Sequence, residues 1–206
     1  GLPGINKTDF LKDLEKVVET RPEHLSIYSL TVHEHTAFFH RKIKEPSQDE
    51  ARDLYDIAHD YLKRNAYEHY EVSNWALNKK YAMHNLTYWQ NNEYYGVGLS
   101  ASGFINHVRY TNTFKMAEYL KGNYINSSES QSEEDEKESY IFLNLRTKFG
   151  IDFEDYNQKF HEDFLERNRE QIHYFQSKKY LNFDEKHLYL TYDGLMIMDS
   201  IIIEFI

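Results

Sequence analysis

The run Met83-His84-Asn85-Leu86-Thr87-Tyr88-Trp89 closely follows His69-Tyr70-Glu71-Val72-Ser73-Asn74-Trp75-Ala76, crowding imidazoles, amides, a carboxylate and large aromatics into one short stretch of chain. A neutral imidazole nitrogen is a common axial ligand of haem iron, and Tyr88 and Trp89 could supply apolar walls for a porphyrin around His84. The competing reading of His84 is a core histidine tied to a backbone carbonyl, and spacing alone leaves both open. His33, His35 and His40 form a second histidine cluster, but only Glu34 lies close enough in sequence to complete a metal set, which makes that a weak site. Gly96-Val97-Gly98-Leu99-Ser100-Ala101-Ser102-Gly103 is rich in small residues. At a strand end it would let backbone approach a nucleotide-like cofactor, or merely allow close backbone packing. Glu71 and Arg109 read equally as buried partners or as contacts to a substrate carboxylate.

Composition narrows these alternatives. The 206 residues suffice for one substantial domain or two small ones. Cysteine is absent, which excludes disulfides, thiolate metal ligands and cysteine nucleophiles within this chain. Lys and Arg number 24 against 34 Asp and Glu, a formal charge of −10, so a nucleic-acid partner is not expected. No apolar run approaches the ~18 residues of a membrane span, and the N-terminus lacks the basic start and apolar core of a signal peptide. The expectation is a soluble, cytoplasmic protein without a membrane span. The 18 Tyr and 13 Phe partly reflect a general Asn/Lys/Tyr/Ile bias rather than function.

The elements that must carry these residues alternate over the first two-thirds. Asn6 is an N-cap, and Phe10, Leu11, Leu14, Val17 and Val18 share one helical face. Arg21-Pro22 ends that helix, and Leu25 to Leu30 reads as a buried strand. Ser47 and Glu50 form a capping box ahead of Ala51, Leu54, Tyr55, Ala58, Tyr61 and Leu62 on one face. Strands are expected at 67–72, 95–99 and 103–105. Helix, strand, helix, strand, strand predicts right-handed crossovers in a mostly parallel sheet. Because Gly1-Leu2-Pro3-Gly4 is a strand-to-helix turn with no strand before it, the chain reads as the later part of a larger α/β unit.

The expected division is an α/β part over 1–122, an acidic linker over 123–138 and a mainly helical domain over 139–206. The Ser127 to Glu136 stretch suggests either a solvated helix start or an acidic partner-binding tail. Beyond it, a helix carries Tyr140, Ile141, Leu143 and Leu145, and a long one runs through Phe160, Phe164, Leu165, Ile172 and Phe175. Two short strands, 180–183 and 187–190, flank a polar turn, and Thr191 caps a last helix. This order is winged-helix-like, but the domain lacks a clear basic stripe, so a lid or docking role is favoured over DNA binding.

Several motifs occur together in a recognisable order: Gly1-Leu2-Pro3-Gly4, the segment Glu23 to Leu30, Glu34-x-Thr36, the segment Tyr70 to Ala76, His84-Asn85-x-x-Tyr88-Trp89, Gly96-x-Gly98, Arg109-Tyr110-x-Asn112, Leu143-x-Leu145-Arg146 and Leu190-Thr191-x-x-Gly194. They span nearly the whole chain, and the sequence resembles the oxygen-independent coproporphyrinogen III oxidase-like proteins of the radical SAM superfamily, in the HemW haem-chaperone branch to which HNxxYW is specific. Ile5, Ala82, Ser100 and Ser102 depart from residues common in that family; the haem motif itself is intact.

The resemblance implies the later strands and helices of a partial (β/α) radical SAM barrel, followed by the helical winged-helix-like domain. It implies His84 as haem ligand, with Tyr88 and Trp89 beside it, and Ser102 and Gly103 near S-adenosylmethionine. In that family an N-terminal CxxxCxxC segment, preceding the GLPG turn, holds a [4Fe–4S] cluster that binds S-adenosylmethionine. This chain matches the C-terminal portion and is expected to need the missing barrel half for cluster chemistry, being inactive as a radical enzyme by itself. The expected function is haem binding for delivery to a haem-receiving protein, and the alternative is oxidative decarboxylation of coproporphyrinogen III. A homodimer is compatible with both.

Overall fold

The computed structural model describes residues 1–206, which divide into two compact units, Gly1–Tyr81 and Ala82–Ile206. No helix in either is long and apolar enough to cross a membrane.

In the first unit, α1 (Lys7–Glu19) starts where the Asn6 side chain accepts from the Asp9 N–H. Strand β1 (His24–Ser26) and the single turn α2 (Ala37–His40) follow. Helix α3 (Gln48–Arg64) opens on the expected capping box, with Ser47 and Glu50 each satisfying the other's backbone N–H. Strands β2 (Glu68–Glu71) and β3 (Asn74–Ala76) close the unit. The apolar faces of α1 and α3 meet, and Leu14, Ala58, Leu62, Tyr67, Trp75 and Leu77 form the core.

In the second unit, α4 (Met83–Trp89) leads into a meander of β4 (Ser102–Ile105), β5 (Val108–Asn112), the short helix α5 (Met116–Leu120) and β6 (Ile125–Ser130). Helix α6 (Glu133–Asn144) begins on a second capping box, Ser132 with Asp135. Then come β7 (Ile151–Asp152), α7 (Phe153–Phe160), α8 (Phe164–Arg167), α9 (Arg169–Ser177), β8 (Leu181–Phe183), β9 (His187–Leu190), α10 (Tyr192–Met196) and α11 (Met198–Ile202). The aromatic core of this part gathers Tyr140, Tyr156, Phe160, Phe164, Phe175 and Phe205, with Phe164 stacked parallel to Phe205. Helices around the β8–β9 hairpin give the winged-helix-like arrangement.

The expected mostly parallel sheet is replaced by three three-stranded sheets, ordered β1-β3-β2, β4-β5-β6 and β7-β9-β8, with every strand pairing antiparallel. The physical reason in the first sheet is local. A side-chain turn, in which Glu71 Oε1 accepts from the Ser73 N–H, reverses the chain at once, so Asn74-Trp75-Ala76 pairs back on β2 across a bulge. The acidic stretch 123–138 is not a linker: β6 pairs with β5 over Val108–Asn112 and α6 starts at Glu133. All six β6 residues are exposed and mostly polar, so no apolar alternation marks the strand in sequence. The compact units meet at 81/82 rather than at 123–138. The long C-terminal helix is broken twice, where His161 takes a left-handed conformation at φ 53° and at Asn168.

Candidate functional site

The His84 motif folds as one short helix. Leu86, buried, anchors α4, while Thr87 Oγ1 donates to the Met83 carbonyl at 3.0 Å. Spacing of four residues puts His84 and Tyr88 on the same face. Their side chains meet: Tyr88 Oη lies 2.8 Å from His84 Nε2, and the rings stand edge to face with centroids 4.7 Å apart. Tyr88 in turn packs edge to face on Tyr94 at 4.5 Å. His84 is exposed, so the core-histidine alternative does not describe its position, and its Nδ1 has no protein partner. Trp89 is half-buried on the same helix.

The glycine stretch is braced rather than open. Gly98 has φ +104°, a conformation that only glycine adopts without strain. Asn112 Nδ2 donates to the carbonyls of Gly96 and Gly98, at 3.0 and 2.8 Å, while the Gly96 N–H donates to Tyr110 Oη and the Gly98 N–H to Tyr119 Oη. Tyr110 and Asn112 of the Arg109-Tyr110-x-Asn112 motif thus brace this loop, while Arg109 does not touch it. Gly103 lies opposite Tyr110 on β5, and a Cβ there would sit 2.2 Å from the tyrosine ring, so its small size serves close packing. Ser102 is exposed, 3.1 Å from Thr111 Oγ1. Both line an open hollow of about 620 Å³ over the β4–β6 sheet, together with Tyr94, Arg109, Tyr110, Thr111, Ser127, Ser128 and Glu129.

Arg109 sits at the junction of four segments. Its Nη2 donates to Asn91 Oδ1 at 2.8 Å and to Ser139 Oγ at 3.5 Å, its Nε to Gln131 Oε1 at 3.2 Å, and its guanidinium lies 4.6 Å over the Phe104 ring. Asn91, 5% exposed, closes α4 by donating its N–H to the Tyr88 carbonyl, and its buried Nδ2 has no partner. Sequence reasoning left Arg109 open and missed Asn91, Tyr94, Gln131 and Ser139. The available signal was the Tyr94-Tyr95 doublet beside the motif; the others are joined only by the fold.

The first unit holds a different constellation. His69 stacks on Trp75 at 4.4 Å with the rings 9° from parallel, and Tyr55 Oη donates to the Val72 carbonyl at 2.6 Å while lying 3.1 Å from His69 Nε2. Burial pushes the His69 imidazole down to about 4 and also lowers His59, whose ring is 5.3 Å away. The buried Glu71 contributes to a rise at Tyr55 beyond what burial alone gives. Burial keeps the two imidazoles neutral and packed. His33, His35 and His40 stay exposed, and no group of three or more His, Asp or Glu side chains is arranged to hold a metal ion. With no cysteine, the chain supplies no thiolate for an iron–sulfur cluster.

Residues 131–197 match the HemN C-terminal domain family. Over its full length the chain is 35% identical to the heme chaperone HemW of Lactococcus lactis, covering 56% of it. It is 28% identical to that of Bacillus subtilis, with 98% of this chain and 55% of the relative covered. A 35% match to the mitochondrial radical S-adenosyl methionine domain-containing protein 1 of Mus musculus covers 50% of this chain and 24% of that one. The solved structure of coproporphyrinogen III oxidase (HemN) from Escherichia coli, a radical SAM enzyme, superimposes with TM-score 0.79 at 18% identity, covering 100% of this chain and 52% of that one. The chain thus spans about half the length of the curated relatives it matches. In sequence the chain is similar to heme chaperone HemW proteins over its full length and to the HemN C-terminal domain family over residues 131–197, and in fold it is similar to the HemN structure.

Proposed function

We propose that this chain is the haem-binding portion of a haem chaperone, with His84 as axial ligand and Tyr88 and Trp89 beside the bound porphyrin. The observation that carries the reading is the exposed His84 whose Nε2 is engaged by Tyr88 Oη and whose Nδ1 is unpartnered. Metal-binding imidazoles are commonly oriented by a hydrogen bond at the nitrogen that does not bind the metal. In the tautomer whose proton is on Nε2, that N–H donates to Tyr88 Oη and the Nδ1 lone pair is the one presented to iron. The heme chaperone names of the HemW relatives support delivery to a haem-receiving protein. Ser102 and Gly103, on the wall of the hollow, are the residues of this chain proposed to approach S-adenosylmethionine when the cysteine-bearing half supplies the cluster. A cytoplasmic location and self-association belong to the same proposal. Decarboxylation of coproporphyrinogen III is the lesser reading, because the likeness to the oxidase structure is one of fold at 18% identity.

Hemin titration followed by visible absorption tests the assignment. The wild-type chain should give a saturable, shifted Soret band, and His84→Ala should alter its position and weaken binding. Identical spectra and affinities for the two proteins would remove His84 as the ligand.

A further inference from the structure

We propose that the hollow between Arg109 and helix α6 binds a small zwitterion, an α-amino acid with an apolar side chain. The hollow holds about 450 Å³, and its wall carries Arg109, Glu129, Gln131 and, from α6, Glu138, Phe142 and Leu143. None of His84, Tyr88 and Trp89 lines it, so the inference does not rest on the haem-binding reading. Charges of both signs face this space without neutralising each other. Arg109 is half-buried, and its side-chain hydrogen bonds go only to Asn91, Gln131 and Ser139, all neutral. Glu129 stands opposite Arg109 in the β5–β6 register, so the two side chains share a face, yet they form no ion pair, and Glu138 forms none either. The other charges nearby are already committed. Asp135, on the same wall, caps α6 by accepting from Ser132, and Arg146 pairs with Asp199 while its guanidinium lies 3.6 Å over the Phe142 ring. That contact fixes one face of Phe142, which is still 43% exposed.

The lining selects the ligand by exclusion. A plain anion on Arg109 meets Glu129 and Glu138, and a plain cation on the glutamates meets Arg109, so either leaves like charges facing each other. A group that carries both signs close together satisfies the two, with its carboxylate on the planar guanidinium fork and its ammonium against the glutamates. In an α-amino acid both charged groups branch from a single carbon, which matches a cross-strand Arg–Glu pair whose Cβ atoms lie about 5 Å apart. The apolar side chain then lies against Phe142 and Leu143, and removing it from water supplies the hydrophobic part of the affinity.

L-leucine is the probe, compared with isocaproate, which lacks the ammonium, and isoamylamine, which lacks the carboxylate. Each is titrated into the full chain and followed by amide chemical shifts. Wild type should bind leucine saturably and about tenfold more tightly than either analogue, the scale of one hydrogen bond to a charged group. Arg109→Gln should bring the preference for leucine over isoamylamine close to one. The double variant Glu129→Gln with Glu138→Gln should do the same for the preference over isocaproate. If Arg109→Gln proves unfolded by far-ultraviolet circular dichroism, the glutamate variant, changed only at exposed residues, carries the test. Absence of saturable leucine binding to wild type, equal affinity for leucine and both analogues, or a folded glutamate variant that rejects isocaproate as wild type does would overturn the proposal.

Discussion

Two of the histidine–tyrosine pairs of this chain, His69 with Tyr55 and His84 with Tyr88, use the same chemistry in opposite environments. His69 lies between Trp75 and Tyr55 in the first unit, and burial holds its imidazole neutral, down to about 4. His84 touches Tyr88 with comparable geometry, ring centroids at 4.7 Å against 5.8 Å for Tyr55 and His69, but on an exposed helix face. A buried imidazole with an aromatic lid is spent on packing; an exposed one with an unpartnered nitrogen can bind something. Both pairs sit in segments of similar composition, so solvent access, not residue type, separates core from candidate site.

The largest effect that follows is Trp75→Ala. The indole is fully buried against His69 and Tyr55, and its loss should destabilise the first unit by about 3–5 kcal/mol, read from the urea midpoint. A change under 1 kcal/mol would mean the buried cluster is not the core it resembles.

The pH dependence comes next. His69 has its folded-state value at about 4, below the ordinary 6.5, so the unfolded chain binds the proton first. Stability is therefore fully present above pH 6.5 and is lost as the pH falls from 6.5 towards 4. The loss should reach about 3 kcal/mol, and His69→Gln should flatten that part of the curve. An unchanged slope in His69→Gln would place the acid sensitivity elsewhere, with the carboxylates. His84→Ala should do least to the fold, within about 0.5 kcal/mol of wild type, because the side chain is exposed. A loss of several kcal/mol there would erase the contrast between the two pairs.

Much of this architecture was legible where signals are local. Ser47 with Glu50 and Thr191 at α10 appear as caps where spacing put them, although the expected single last helix is divided at Ile197 into α10 and α11, and the strands around 180–190 follow from two short apolar runs about a polar turn. What failed was non-local or lacked hydrophobic contrast. The reversal at Ser73 turned an expected crossover into a hairpin. Strand β6, with every residue exposed, exists because β5 pairs with it, and its serines and glutamates resemble those of a linker. The motif histidine was found by residue type, but its exposure was not, and Arg109 acquires a role only when Asn91, Phe104 and Gln131 are brought to it by three different segments.

The measurement closest to the central claim is resonance Raman spectroscopy of the ferrous haem complex, which reports an iron–histidine stretching mode directly. Wild-type chain should show that mode and His84→Ala should lack it, while His69→Gln, altered only in the buried pair, should retain it. An iron–histidine mode that survives in His84→Ala would assign the ligand to another histidine and contradict the account.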